Sequence, residues 1–233
     1  MELSKGFLWG VSTAAHQVEG GNHNNQWATW EDAGRIRSGE CSGLACDWWT
    51  NAERDFDLAQ EMGLNSLRLS VEWSRIEPQP DQWNQEAVQR YRQMLQGLID
   101  RGIQPMICLH HFTHPIWFEE RGGFLASDAA EVFERFARHA VSEFGDLCHY
   151  SVLGELHKLI DEGNDVRGYF HWTLTDNFEW AEGWKLRFGL VALNNETQER
   201  TMRNSGRLFS AIAHANGLSN EVAEQFVPRS GTI

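Results

Sequence analysis

Apolar positions along this chain follow two spacings. Short runs rich in β-branched and aromatic residues read as strands over 7–11, 65–71, 103–110 and 166–172. The last of these, VRGYFHW, reads as a buried strand with a glycine near its start. Elsewhere the period is helical. Ala52, Phe56, Ala59 and Met62 make one apolar face, and Val88, Tyr91, Leu95 and Leu98 a second. Val132, Phe133, Phe136, Ala140, Val141 and Phe144 make a third, and Val152, Leu156, Leu159 and Ile160 a fourth. The first helix is predicted to start at Thr50, because Thr50 and Glu53 have the spacing of a capping box, and to stop at Gly63. The second is predicted over 85–101, the third over 128–144 with Ser127 as N-cap, and the fourth over 151–162. Residues 12–21 read as a polar turn, and 22–47, with little periodicity, as a long loop. Repeats, low-complexity segments and flexible linkers are absent, so the 233 residues are expected to form a single domain, 1–233.

Charge narrows the partners. A formal net charge of −13 argues against nucleic acid and against an anionic membrane. No apolar run is long enough to span a membrane. Glu2 and Lys5 stand where a secretory leader would be apolar, so a cytoplasmic protein is expected. Cys41, Cys46, Cys108 and Cys148 do not make a disulfide framework at this size, and free thiols are expected, although Cys41 and Cys46, without CxxC spacing, could pair or bind a metal. His110, His111 and His114 invite a metal. HHxxH at a strand end is a poor ligand spacing, however, so no metal and no cofactor is expected.

One stretch, 165–191, concentrates the chemistry: Trp172, Phe178, Trp180 and Trp184 lie within a few positions of Asp176, Glu179 and Glu182. Flat aromatic faces beside carboxylates suit a sugar ring, whose C–H face stacks while its hydroxyls bond the carboxylates. A tryptophan-rich loop can equally cap a core. Within this stretch, WTLTDNFEWAEGWKLRFGLV resembles the last barrel strand and following loop of glycoside hydrolase family 1, the β-glucosidase family. FLWGVSTAAHQVEGG, over 7–21, is similar to the family's N-terminal signature, and RLSVEWSRIEP and HHFTHP are similar to its second and third strand ends. The resemblance implies a (β/α)8 TIM barrel acting on β-D-glucosides and related β-glycosides. It assigns the glycone pocket to Gln17, His111, Trp172, Glu179, Trp180 and Phe188, and Trp117 matches the family's tryptophan shortly after the histidine motif. Gln17 would bind two hydroxyls, Trp172 would stack on the ring, and Glu179 would grip two further hydroxyls. Arg68 matches the arginine that hydrogen-bonds the family's nucleophilic carboxylate and lowers its pKa.

The chain also departs from the family. Trp48 stands where the family has a histidine after Ala-Cys-Asp. Phe144-Gly145-Asp146 leads toward the fourth strand, which should end in Asn-Glu-Pro with the acid/base glutamate. Neither that motif nor the seventh strand's Glu-Asn-Gly nucleophile motif occurs in the sequence. The expected architecture is therefore a partial TIM barrel retaining strands 8-1-2-3. Residues 1–150 form its N-terminal part, and 151–233 supply the last helix, the eighth strand and a C-terminal helix. A retaining glycosidase needs two carboxylates about 5–5.5 Å apart. Glu179, Glu72 and Glu155, and more weakly Asp176 and Glu182, are the available substitutes. The expectation is β-glucosidase-like activity that is weak, altered or lost, with non-catalytic binding of a carbohydrate or another small ligand as the alternative. Two open strand edges and an apolar inner face would favour a homodimer or higher homo-oligomer.

Overall fold

The computed structural model describes residues 6–151, 168–217 and 226. Its centre is a parallel five-stranded sheet in the order β4-β3-β2-β1-β5. The strands are β1 (Leu8–Ser12), β2 (Ser66–Ser70), β3 (Gln104–Cys108), β4 (His149–Ser151) and β5 (Gly168–Trp172). The run β5-β1-β2-β3 is the expected order 8-1-2-3, and β4 adds a three-residue stub beside β3. A second, two-stranded ribbon pairs β6 (Val191–Leu193) antiparallel with β7 (Arg200–Met202).

The two faces of the sheet differ. Side chains alternate along a strand, and Trp9, Val11, Leu67, Leu69 and Ile107 are all buried in the main hydrophobic core on the helical side. On that side lie α4 (Glu53–Glu61), α6 (Gln85–Ile99) and α8 (Ala129–Phe144). Their expected faces hold: Phe56, Ala59, Val88, Tyr91, Leu95, Leu98, Phe136, Ala140 and Phe144 are buried. Val141 does not join them; it is exposed, rotated about 100° around the helix from the buried Ala140 beside it. On the opposite face Leu8, Arg68, Gln104, Met106 and Phe170 are only half-buried. That inner face mixes apolar and polar residues, so the expectation of an apolar inner face is met only in part. Gly10 shapes it: a Cβ there would lie 2.6 Å from the Phe170 ring, so glycine lets that ring lie across β1.

Several local readings are corrected. The helix predicted to begin at Thr50 begins with α3 (Trp48–Asn51), which runs through a helical Ala52 into α4. Trp48 anchors the first turn by donating its indole N–H to Asp55 Oδ2 at 2.7 Å, and Glu53 is taken by Arg90, so no Thr50–Glu53 capping box forms. Gly63 does end the helix, at a φ of +71° that suits glycine. The N-cap of α8 is Asp128, not Ser127, and it makes no side-chain cap bond. The loop over 22–47 contains α2 (Gln26–Asp32), capped by Asn25, whose Oδ1 accepts from Ala28 N at 2.8 Å. This helix buries Ala28 and the charged Glu31 on its inner side, so it has no apolar stripe to read. The turn over 12–21 likewise holds a buried helical turn, α1 (Ala15–Val18). β5 is half-buried rather than buried, because among the described residues only β1 flanks it. The helix expected over 151–162 falls outside the described residues apart from Ser151, which ends β4.

Candidate functional site

The site forms where β1, β3 and β5 end. α1 follows β1 and presents Gln17, fully buried. Its Nε2 donates toward Asn177 Oδ1 at 3.1 Å, Phe178 O at 2.7 Å and Glu179 Oε2 at 3.3 Å. One amide thus ties the loop after β1 to the loop after β5. Its Oε1 is buried without a hydrogen-bond partner. A buried thiol adds a second tie, with Cys46 Sγ 3.3 Å from Asp176 O. Burial pushes that thiol up to about 12, so Cys46 is packed rather than reactive. Neither Cys46 nor Cys41 is in a disulfide among the described residues, so the pairing of the two left open by the sequence does not form.

Aromatic rings line the opening. His111 follows β3 and stacks on Trp172 at 5.6 Å and 12°. Trp180 lies 6.1 Å from His111 and stacks on His16 at 5.6 Å and 11°. Trp180 takes a left-handed φ of 50°, which a tryptophan rarely adopts. Phe112 and Trp27 meet it edge-on at 5.3 and 5.0 Å. The tryptophan-rich loop therefore serves both purposes allowed by its composition. Phe178 and Trp184 are buried and cap the core, whereas Trp172 and Trp180 are half-buried at the opening.

Glu179 sits among these groups. Burial raises its carboxyl above the usual range, while hydrogen bonds from Trp172 and Gln17 pull the other way. Burial, with the Arg68 charge and then His110 adding to it, lowers His111 to about 4. Burial and His114 do the same for His110. Both rings are therefore neutral near pH 7. His114 lies 2.8 Å from Glu119, and the described residues contain no cluster of His, Cys, Asp and Glu able to hold a metal.

The remaining candidates divide. Phe188 lies apart, its ring exposed and in no ring contact among the described residues. Trp117 is a core residue, edge-on to Trp73 and donating to Glu77 O at 3.0 Å. Glu72 is buried, with Ser74 Oγ donating to one oxygen at 2.8 Å and Thr113 Oγ1 to the other at 2.7 Å. Asp176 is buried and held by both Arg203 nitrogens at 2.7 and 2.6 Å. Glu182 pairs with Arg37 at 2.7 Å. Glu155 lies outside the described residues. Arg68 is half-buried on the inner face, and its guanidinium has no ion pair among the described residues.

The sequence reading passed over His16, which is buried, 2.6 Å from Glu31 and stacked under Trp180. Its adjacency to Gln17 was the available signal. Trp27 and Phe112 were missed because their elements, α2 and the turn after β3, gave no periodic pattern.

The sequence matches Glycosyl hydrolase family 1 over residues 1–153 and again over 148–218. The chain belongs to glycosyl hydrolase family 1. Among relatives, it is 30% identical over 152 residues to Beta-glucosidase A of Thermotoga maritima, covering 62% of this chain and 34% of that protein. It is 32% identical over 155 residues to the human Cytosolic beta-glucosidase, covering 63% and 33%. It is 35% identical over 173 residues to Beta-glucosidase 11 of Arabidopsis thaliana, covering 70% and 33%. The chain spans about a third of the length of these relatives. The beta-glycosidase from Pyrococcus horikoshii superposes with a TM-score of 0.87 at 20% identity, covering 98% of this chain and 99% of that one. The Thermotoga maritima beta-glucosidase in complex with cyclophellitol superposes with a TM-score of 0.89 at 18% identity, covering 94% and 100%. These superpositions confirm the family's partial barrel as the fold. No helix among the described residues is long and apolar enough to cross a membrane.

Proposed function

We propose that this chain recognises β-D-glucosides or related β-glycosides through a β-glucosidase-like glycone pocket, with hydrolysis weak or lost. The observation that carries this reading is the convergence of Gln17, His111, Trp172, Glu179 and Trp180 at one end of the sheet. Within that group Gln17 Oε1 and His111 Nδ1 are buried without partners. Vicinal hydroxyls supply donors and acceptors for such groups, and the half-buried Trp172 and Trp180 supply flat faces for the ring.

Hydrolysis is a different requirement. We take the chain to lack the segment from the end of the family's fourth strand through its seventh, with both motif carboxylates. Both oxygens of Glu72 and Asp176 are engaged inside the fold, and Glu182 is paired outward. Only Glu179 faces the pocket among these candidates, and one carboxylate cannot serve as both nucleophile and acid/base. A second copy joined at the open sheet edges would complete the enclosure, so the working form in this reading is a homodimer or higher homo-oligomer.

The test is hydrolysis of a chromogenic aryl β-glucoside, run beside binding of D-glucose followed by tryptophan fluorescence, on the full chain and on Glu179→Gln. Saturable glucose binding that Glu179→Gln weakens, with little or no turnover, is the expected result. Turnover that survives purification and vanishes in Glu179→Gln would instead make the chain an enzyme with a rebuilt carboxylate pair. Absence of any glucose response would overturn the sugar reading.

A further inference from the structure

We propose that Arg68 forms a carboxylate-binding floor to this pocket, taking a small organic carboxylate, either free or carried on a sugar acid. The placement comes from the sheet register. Ser12 is aligned with Trp172 on one side and with Arg68 on the other, and Arg68 with Met106. Trp172, Ser12, Arg68 and Met106 thus form one row across the inner face. His111 stacks on Trp172, and its ring is close enough to Arg68 for that charge to disfavour its protonation. Arg68, His111 and Trp172 therefore border the same space.

Arg68 is unlike the other half-buried arginines of the described residues. Each of those has a carboxylate in reach: Arg75 has Glu19, Arg90 has Glu53, Arg200 has Asp55 and Arg203 has Asp176, for instance. Arg68 has none among the described residues, and its Nε is buried without a hydrogen-bond partner there. A partly desolvated guanidinium without a counter-charge is costly, and burial already weakens its hold on its proton. Glu179 does not fill the role, since its bonds go to Gln17 and Trp172. A carboxylate suits the guanidinium fork, because two parallel charge-assisted hydrogen bonds form at once. General attraction is no substitute, because the chain carries a net charge of −13 and repels anions at long range.

This inference shares the pocket of the glycone reading, but its acetate arm stands without it. The experiment is NMR of the full chain with isotope-labelled histidine, titrated with sodium acetate, sodium D-glucuronate and, as a control, D-glucose, all at matched ionic strength. The His111 ring signals are the readout. Either carboxylate should shift them saturably and raise the His111 pKa from about 4, because it offsets the Arg68 charge. Arg68→Met should raise that pKa without ligand and weaken carboxylate binding by roughly ten- to a hundredfold. Arg68→Lys, which keeps the charge but not the fork, should keep the low pKa and lose most of the affinity, which covers the case of a misfolded Met variant. Acetate binding as tightly as glucuronate identifies a free small carboxylate; a large glucuronate advantage identifies a sugar acid. Absence of a saturable shift with both carboxylates, or equal affinity in wild type and the variants, overturns the proposal. A glucose response that is absent while the carboxylates bind would remove the glycone reading and leave this one standing.

Discussion

At the scale of the residue, Glu179 shows how the proposed sugar binding and stability pull apart. Its folded pKa lies above the usual carboxylate value, chiefly through burial. The folded state therefore holds its proton to higher pH than the unfolded chain does. The resulting stability is fully present below the unfolded pKa and is lost as pH rises through the raised folded value. At pH 7 the ionised side chain is a cost that an amide would not carry. We expect Glu179→Gln to raise the melting temperature at pH 7, with the gain shrinking toward pH 4, while sugar binding weakens. Calorimetry over that range, paired with a glucose titration, checks both halves. Asp176 is the opposite case, a buried carboxylate fully used by the fold. Asp176→Ala strands Arg203 and should cost about 3–5 kcal/mol in urea unfolding. The resemblance gave Glu179 a pocket role, but for Asp176, three positions away, the sequence offered only a substitute catalytic role and no structural one. The difference is that Arg203 reaches Asp176 from beyond the β6–β7 ribbon, a contact no local pattern announces.

Elements with a strong apolar period were legible; those held by polar contacts were not. α6 and α8 appear where Val88, Tyr91, Leu95, Phe136 and Ala140 repeat, because hydrophobic burial sets both the face and the period. α2 was hidden because its buried face includes Glu31, whose Oε1 lies 2.6 Å from His16 Nε2, and its start depends on a cap. Asn25→Ala removes that cap and should destabilise the protein by about 1 kcal/mol, measured by denaturant unfolding. Because α2 carries Trp27 against Trp180, the same change should also loosen the pocket wall, visible as a shift in tryptophan emission. The capping box at Thr50 and Glu53 failed for a related reason. Arg90 claims Glu53, and Trp48 begins the helix earlier by reaching Asp55.

At the scale of the whole molecule, the sheet is a run of parallel strands, β4-β3-β2-β1-β5, with β5 and β4 at its edges. Parallel strands are normally flanked and covered on both faces. We expect light scattering to show a dimer or larger assembly at micromolar concentration, and Phe170→Glu on the inner face to shift it toward monomer while far-ultraviolet circular dichroism stays unchanged. A monodisperse wild-type monomer would contradict this. The order of strands and the partial barrel followed from the sequence alone, as did the candidates Gln17, His111, Trp172, Glu179 and Trp180 that meet at one end of the sheet. Long motifs kept their residues at the ends of particular strands, and a parallel sheet turns that position into proximity. Tertiary structure alone decided which charges are spent and which are spare. Glu72, Asp176 and Glu182 are satisfied by partners distant in sequence, whereas Arg68 meets no carboxylate among the described residues, because ion pairing depends on which elements cross and not on neighbours along the chain.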